Sequence, residues 1–248
     1  MKILVCISHV PDTTSKINFN DDFTAFDKTN VQFVINPYDE FALTRAIWFQ
    51  EKQGAKVTVV NVGDASTDAT LRKALAIGAD DAIRIDAEPK DGTFVAQQIV
   101  ALHKKENYDL ILMGKESSDY NGAMVPGITA ALLDLDYINA CVDLEVEGTK
   151  VYAATEIDGG TEKIEAQLPI VIAGQKGLVE EKDLKIPNMR GIMMARKKPL
   201  TVIPAIEATD ATDINTFEKP TEKGACKMID ANNIEELIDL LHKEAKVI

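Results

Sequence analysis

The clearest indication of the fold class comes from residues 109–133, Asp109-Leu-Ile-Leu-Met-Gly-Lys-Glu-Ser-Ser-Asp-Tyr-Asn-Gly-Ala-Met-Val-Pro-Gly-Ile-Thr-Ala-Ala-Leu-Leu133. Residues 109–113 are an apolar run of strand length, residues 114–122 a polar turn, and residues 125–133 the opening of a helix. Gly114 and Gly122 are expected to allow positive φ or close approach of a ligand. A strand, a glycine-bounded loop and a helix start can direct free backbone N–H groups at a phosphate.

The same loop also fits an ordinary strand-to-helix connection, because such connections are rich in Gly and Ser for reasons of turn geometry alone. It matches neither the Walker A pattern nor the GxGxxG dinucleotide pattern. From spacing alone, the nucleotide site and the plain connection therefore both remain open.

Three strand-and-helix pairs precede this stretch, and they set the fold class. A strand is predicted at residues 2–8, and Asn36 is predicted to cap the helix that follows, with Pro37 at its first position. Further strands are predicted at residues 56–62 and 82–85, each followed by a helical pattern. Residues 1–135 thus alternate between strand and helix with short connections. This pattern is typical of an α/β fold with a doubly wound, mostly parallel, Rossmann-like sheet.

The pattern changes after Leu135. An antiparallel hairpin is predicted at residues 141–167, and residues 168–173 are expected to return to the main sheet as a further strand. We expect residues 1–204 to form one nucleotide-binding domain. Residues 205–248 are expected to be an extended arm that ends in a helix and packs on a partner subunit, because long irregular segments are uncommon within a compact domain.

Composition excludes several classes of function. Lys+Arg total 27 and Asp+Glu 40, giving a net charge of −13, so nucleic acid and anionic membranes are not expected partners. The sequence contains no apolar run long enough for membrane insertion. Three dispersed cysteines argue against zinc or a disulfide framework and for a reducing, cytoplasmic location. No Ser-His-Asp or Cys-His constellation is visible, which favours a binding or carrier protein over an enzyme.

Several motifs together resemble the beta subunit of the electron-transfer flavoproteins, in the right order over nearly the whole chain. The hairpin turn and the Ala-Arg-Lys-Lys segment are the most specific of them. The motifs are Val10-Pro-Asp-Thr13, Asn36-Pro-Tyr-Asp-Glu-Phe-Ala42, Leu71-Arg-Lys-Ala-Leu-Ala-Ile-Gly-Ala-Asp80, Gly114-Lys115 with Asp119, Glu156-Ile-Asp-Gly-Gly-Thr-Glu162 running into Leu168-Pro169, and Ile186-Pro-Asn188 with Gly191-Ile-Met-Met-Ala-Arg-Lys-Lys-Pro199.

The resemblance implies an electron carrier rather than an enzyme. The protein would form a heterodimer with an alpha subunit that holds most of an FAD, and would itself bind a structural AMP. It would accept electrons from acyl-CoA dehydrogenases or related flavoproteins of fatty acid β-oxidation, and pass them to a quinone oxidoreductase.

The resemblance also assigns residues to sites. The AMP contacts would be Cys6, Asn36, Asn61, Val62, Gly63, Gly114, Asp119, Asn121, Gly122, Ala123, Met124 and Val125. Thr13 and Tyr38 match positions that approach the flavin. A recognition loop at residues 184–198 would dock on the dehydrogenase through Ile186, Met189, Met193, Arg196, Lys197 and Lys198, with Ile186 as its apolar anchor.

The phosphate turn departs from the family pattern, because Asp119-Tyr-Asn-Gly-Ala-Met-Val-Pro126 lacks the usual Gln and Thr side chains. Backbone N–H groups can still bind a phosphate there. Two alternatives stay open. One is a bifurcating form with a second FAD in place of AMP. The other is a stand-alone adenine-nucleotide-binding protein.

Overall fold

A computed structural model of the chain describes residues 1–222 and 224–248. The strands are β1 (Lys2–Cys6), β2 (His9–Pro11), β3 (Asn18–Phe19), β4 (Phe26–Asp27), β5 (Phe33–Ile35), β6 (Lys56–Gly63), β7 (Asp81–Asp86), β8 (Leu110–Gly114), β9 (Asp136–Glu147), β10 (Lys150–Ile157), β11 (Gly160–Gln167), β12 (Ile170–Gly174) and β13 (Leu200–Pro204). The α-helices are α1 (Pro37–Gln53), α2 (Asp68–Ile77), α3 (Gly92–Glu106), α4 (Val125–Leu133), α5 (Met189–Ala195) and α6 (Ile234–Leu240).

Nine strands form one sheet, in the order β11-β10-β9-β12-β8-β1-β6-β7-β13. All neighbours from β9 to β13 are parallel, whereas β10 pairs antiparallel with both β9 and β11. From β1 the chain proceeds to β6 and β7 on one side, then returns to β8 on the other side. This reversal confirms the predicted doubly wound α/β fold and puts its switch point between β1 and β8.

Both faces of the sheet are covered, which explains the continuous apolar runs of its central strands. Successive side chains of β1 point to opposite faces, so Ile3 joins one core cluster and Leu4 the other. The first cluster contains the apolar residues of α1 and α2, and the second those of α3 and α4. Leu43, Ala46, Leu71 and Leu75 represent the first; Ile99, Leu102 and Ala130 represent the second.

The predicted antiparallel hairpin is present, but its first strand is longer than expected. β9 begins at Asp136 rather than near residue 141, and its first half pairs parallel with β12. The antiparallel β9–β11 ribbon therefore continues the main sheet. The return of residues 168–173 to that sheet is confirmed, since β12 lies between β9 and β8.

Two elements between β12 and the C-terminal arm were not predicted, β13 and α5. β13 pairs with β7 alone and forms one edge of the sheet. Its five residues end in a proline, which is tolerated at a sheet edge but lowers the strand signal. The recognition segment at 184–198 is not entirely a loop, because it contains α5.

The C-terminal helix was predicted correctly as an amphipathic element. Ile234, Leu237 and Ile238 of α6 share one stripe, yet all three side chains are exposed. Within the described residues, no helix is long and apolar enough to cross a membrane.

Candidate functional site

The candidate site lies at the carboxyl ends of the parallel strands. β1 lies between β8 and β6 in the sheet, and β1, β6 and β8 end at Cys6, Gly63 and Gly114. Ligands of open α/β sheets bind outside the strand carboxyl ends at the switch point. The fold therefore brings these three predicted positions to one edge.

Asn36 lies at this edge and does not cap α1 through its side chain, contrary to our prediction. Its Nδ2 donates to the Glu116 carbonyl oxygen at 2.9 Å, and its Oδ1 accepts from the Ser118 N–H at 3.1 Å. The side chain is fully buried against the loop that follows β8, so this loop replaces the helix N–H groups as its partner. Asn36 thereby fixes the start of the 114–125 loop.

Asp39 joins the two strands of the switch point. Its Oδ2 accepts from the Ser8 N–H and its Oδ1 from the Gly114 N–H, both at 2.7 Å. Burial raises the pKa of this carboxyl group to about 7, although both hydrogen bonds favour its ionised form. From the sequence, Asp39 is singled out only as part of the motif Asn36–Ala42, and this role is not predicted.

Neither glycine of the loop has the positive φ that was expected as one possibility. A Cβ on Gly114 would lie 2.5 Å from Asp39 Oδ1 and 2.6 Å from Tyr38 Cβ, so the absence of a side chain here makes room for α1. Gly122 has no positive φ, and a Cβ there would meet only Met124, at 3.8 Å. The left-handed residues are instead Asn121 and Ala123, with φ of 48° and 49°.

The turn before α4 has a backbone suited to an anion. Left-handed φ at residues 121 and 123 is followed by right-handed geometry at Met124, with φ −101° and ψ −32°. Alternation of this kind directs successive N–H groups to one side. Among the described residues, no acceptor binds the N–H groups of Gly122, Ala123, Met124 and Val125. The positive end of α4 adds to the same field.

A second unsatisfied group lies at the end of β6. The Asn61 Nδ2 donates to the Ile7 carbonyl oxygen at 2.8 Å, whereas its buried Oδ1 has no partner among residues 1–222 and 224–248. A Cβ on Gly63 would lie 2.6 Å from this Oδ1. Buried acceptors without a donor are rare, so the atom indicates a ligand that donates a hydrogen bond. An adenine nucleotide offers such donors, and the turn at 121–125 suits its phosphate.

Comparison with known proteins settles the family. A family model described as "Electron transfer flavoprotein domain" matches residues 24–208. The "Electron transfer flavoprotein subunit beta" of Bacillus subtilis is 34% identical, with both chains covered in full. This chain belongs to the electron-transfer flavoprotein beta subunit family.

Other members of the family lie at similar distances. The beta subunit of Syntrophomonas wolfei is 36% identical over 91% of this chain and 88% of its own length. The human beta subunit is 31% identical over 91% of each chain. The resemblance drawn from the sequence motifs is thus confirmed.

Cys6 lies in the core of this flavoprotein subunit. Its side chain belongs to the cluster beneath α3 and α4. Burial raises the pKa of the thiol, and the Asp39 carboxylate raises it further, so the sulfur remains a neutral thiol. Any contact of this residue with a nucleotide would come from its backbone at the strand end. Val62 also belongs to that cluster.

The two positions expected near the flavin have different surroundings. Tyr38 is half-buried, and the Lys115 Nζ lies 5.3 Å from the centroid of its ring. Thr13 is exposed and follows β2 at the end of the β2–β5 ribbon that lies away from Asn36.

The recognition segment presents an apolar surface. Ile186, Met189 and Met193 are 78%, 77% and 68% exposed. Arg196 and Lys197 are exposed beside them. We define these five side chains as the docking surface.

Lys198 differs from its neighbours in position. Its Nζ donates to the carbonyl oxygens of Leu75, Gly78 and Ala79, at 3.1, 3.1 and 2.6 Å. Burial lowers its pKa. Its charge is therefore directed at the C-terminus of α2, which does not support the expectation that it contacts a dehydrogenase.

Proposed function

We propose that this chain is the beta subunit of a heterodimeric electron-transfer flavoprotein. It accepts electrons from dehydrogenases such as acyl-CoA dehydrogenases and passes them to a quinone oxidoreductase. The observation that carries the proposal is the alignment of the whole chain with proteins named as beta subunits. FAD, held mainly by the alpha subunit, supplies the redox chemistry when bound.

In this proposal the beta subunit binds AMP at the carboxyl ends of the parallel strands. The backbone N–H groups of residues 122–125 hold the phosphate. Such contacts do not require the Gln and Thr side chains of the family pattern, which this turn lacks. Asn61 and Gly63 lie at the end of β6 on the same edge, and the free Asn61 Oδ1 accepts a hydrogen bond from the nucleotide. Asn36 contributes by holding the loop in place.

The docking surface is the proposed contact with the dehydrogenase. Exposed apolar side chains beside basic ones are typical of a small transient interface, in which a few buried residues carry most of the binding energy. In a chain of net charge −13, the basic pair Arg196 and Lys197 favours an acidic partner and steers its approach.

Co-expression with an alpha subunit, followed by spectroscopy and nucleotide analysis, tests the proposal. We expect a yellow heterodimer with one FAD and one AMP. Two FAD per heterodimer would indicate the bifurcating form and refute the AMP assignment. A stable, colourless monomer with ATP-dependent activity would refute the carrier role altogether.

A further inference from the structure

α5 is too short to be stable by itself. It has seven residues, whereas isolated helices shorter than about 12 residues are marginal in water. Its apolar side chains Met189 and Met193 face outward, so they do not anchor it. Ala195 at its end is buried in the core, but this small side chain is a weak anchor, so the contacts of the α5 backbone also matter for its position.

The backbone of α5 lies directly on α2. A Cβ on Gly191 would overlap the carbonyl oxygen of Ala76, so the two helices touch without an intervening side chain. Asn188 caps α5, accepting from the Gly191 N–H at 2.8 Å. The glycine contact fixes the distance between the helices but not the direction in which α5 points.

Two cations fix that direction by binding carbonyl groups. Lys198 directs all three of its Nζ hydrogen bonds to the last turn of α2 and the two residues after it, where helix carbonyls lack partners and a positive charge is favoured. Arg72 makes the reverse contact, from a side chain of α2 to the backbone of the segment that contains α5. Its Nη1 donates to the carbonyl oxygens of Ala195 and Lys198, both at 2.7 Å. We call these two residues the clasp.

The other end of the segment is also held. The Lys185 N–H donates to Thr44 Oγ1 at 3.2 Å, and its Nζ lies 2.8 Å from a carboxylate oxygen of Glu51. Both partners belong to α1. Residues 186–194 thus span two fixed points, one on each helix, with their apolar side chains facing outward.

We propose that Arg72 and Lys198 are positioning residues for electron transfer, which set α5 in its docking conformation before the dehydrogenase arrives. The inference rests on the proposed docking function of α5. A preset surface avoids the entropy cost of ordering side chains and loops on binding. Neither residue touches the dehydrogenase; both act through the backbone of α5.

The test uses the FAD-loaded heterodimer and steady-state transfer from its dehydrogenase. Lys198→Met removes the donors but keeps the length of the side chain. We expect the KM for the flavoprotein to rise about tenfold while kcat changes less than twofold. Hydrogen exchange should accelerate in residues 189–198 and stay slow in the first turns of α2. Lys198→Arg, which keeps a charged donor, should recover most of the lost affinity.

Arg72→Gln is a second variant that leaves the Lys198 contacts in place, in case Lys198→Met disturbs folding. Lys182→Met is the matched control, because Lys182 is an exposed lysine that lies just before this segment, and it should leave KM unchanged.

Met193→Ala separates this inference from the docking proposal. If Met193→Ala raises KM while neither clasp variant does, the positioning role is wrong and docking stands. If Met193→Ala also has no effect, docking by α5 is wrong, and the clasp inference falls with it.

Discussion

Asp39 is a buried carboxyl group at the switch point, and its ionisation is linked to the stability of the fold. It is 2% exposed and joins Ser8, just after β1, to Gly114 at the end of β8 through their backbone N–H groups. Its pKa is about 7 in the folded chain, against an ordinary value of 3.8. Between these values the folded state holds a proton that the unfolded state has lost, so stability falls as the pH rises through that window.

This linkage gives a prediction for the wild type and Asp39→Asn. The variant loses one of the two hydrogen bonds at every pH, because its NH₂ group faces a donor. It cannot titrate, so the stability difference between the two proteins should shrink from pH 4 to pH 7. The slope is at most about 1.4 kcal/mol per pH unit. Urea unfolding at pH 4, 5, 6 and 7 measures it, and a difference independent of pH would refute the raised pKa.

The roles of Asn36 and Asp39 could not be read from the sequence. Both residues match helix-start statistics, which predicted the start of α1 correctly. Their actual partners are Ser8 after β1, Gly114 at the end of β8, and Glu116 and Ser118 in the loop that follows it. The Asn36–Glu116 bond spans 80 positions of the chain. Such pairings depend on the sheet order, and local patterns do not contain it.

At the scale of elements, the turn before α4 provides a test of the phosphate site. Gly122 is exposed, has no positive φ and lacks close neighbours, so Gly122→Val should leave the stability of the chain unchanged. The new side chain would nevertheless obstruct the N–H groups around it, and AMP retention should fall at least tenfold. Asn121→Ala removes at most one neutral hydrogen bond to the nucleotide, about 1 kcal/mol.

Gly160→Val is the matched control for this turn, because Gly160 is also exposed and open but lies in the β10–β11 hairpin. AMP content after gel filtration measures retention in each variant. Equal retention in Gly122→Val and Gly160→Val would show that the nucleotide binds elsewhere.

The docking surface gives a prediction for electron transfer. Removing one apolar anchor typically costs about 2 kcal/mol of binding, so Ile186→Ala should weaken transfer from the dehydrogenase tenfold or more. FAD content and dimer stability should not change. Ile157→Ala is the control, since Ile157 is similarly apolar and exposed but lies at the end of β10.

Charge removal should act differently from anchor removal on this surface. Neutralising Arg196 and Lys197 should mainly slow association and flatten its dependence on salt, because both side chains are exposed and screened. Stopped-flow rates at low and high ionic strength separate the two effects. Unaltered kinetics for Ile186→Ala would exclude Ile186 as an anchor.

For the whole molecule, periodicity predicted most of the sheet because each central strand is a buried apolar run of the expected length. It missed β13, of which Thr201, Val202 and the final Pro204 are exposed. It also began β9 too late, because it left out the part of the strand that pairs with β12. The docking and nucleotide residues came from family motifs. Backbone features such as the left-handed Ala123 have no signal in sequence, since alanine rarely adopts that conformation.

The first part of the C-terminal arm is attached to the body of the molecule by hydrogen bonds to Gln97 and Gln98 of α3 and to Asp91, which precedes this helix. Asp91 caps α3 through Oδ1, accepting from the Phe94 N–H at 2.8 Å. Its Oδ2 accepts from the N–H groups of Ala211 and Thr212, at 2.6 and 2.8 Å. Farther along the arm, Phe217 stacks on Phe19 with 4.7 Å between ring centroids. The arm therefore follows the surface as far as residue 217.

Beyond that point the apolar stripe of α6 requires a partner. Exposing Ile234, Leu237 and Ile238 together is unfavourable for a helix in water, and helices of this length depend on packing. We therefore expect the triple change of these residues to Ser to abolish the heterodimer with the alpha subunit. The large core around the central sheet should leave the fold of residues 1–204 intact.

Glu235→Ser with Glu236→Ser, on the polar face of α6, should preserve the heterodimer. Sedimentation of the co-expressed chains measures whether the heterodimer forms, and circular dichroism measures whether the variant is folded. A heterodimer that survives the triple change would place the subunit contact outside α6.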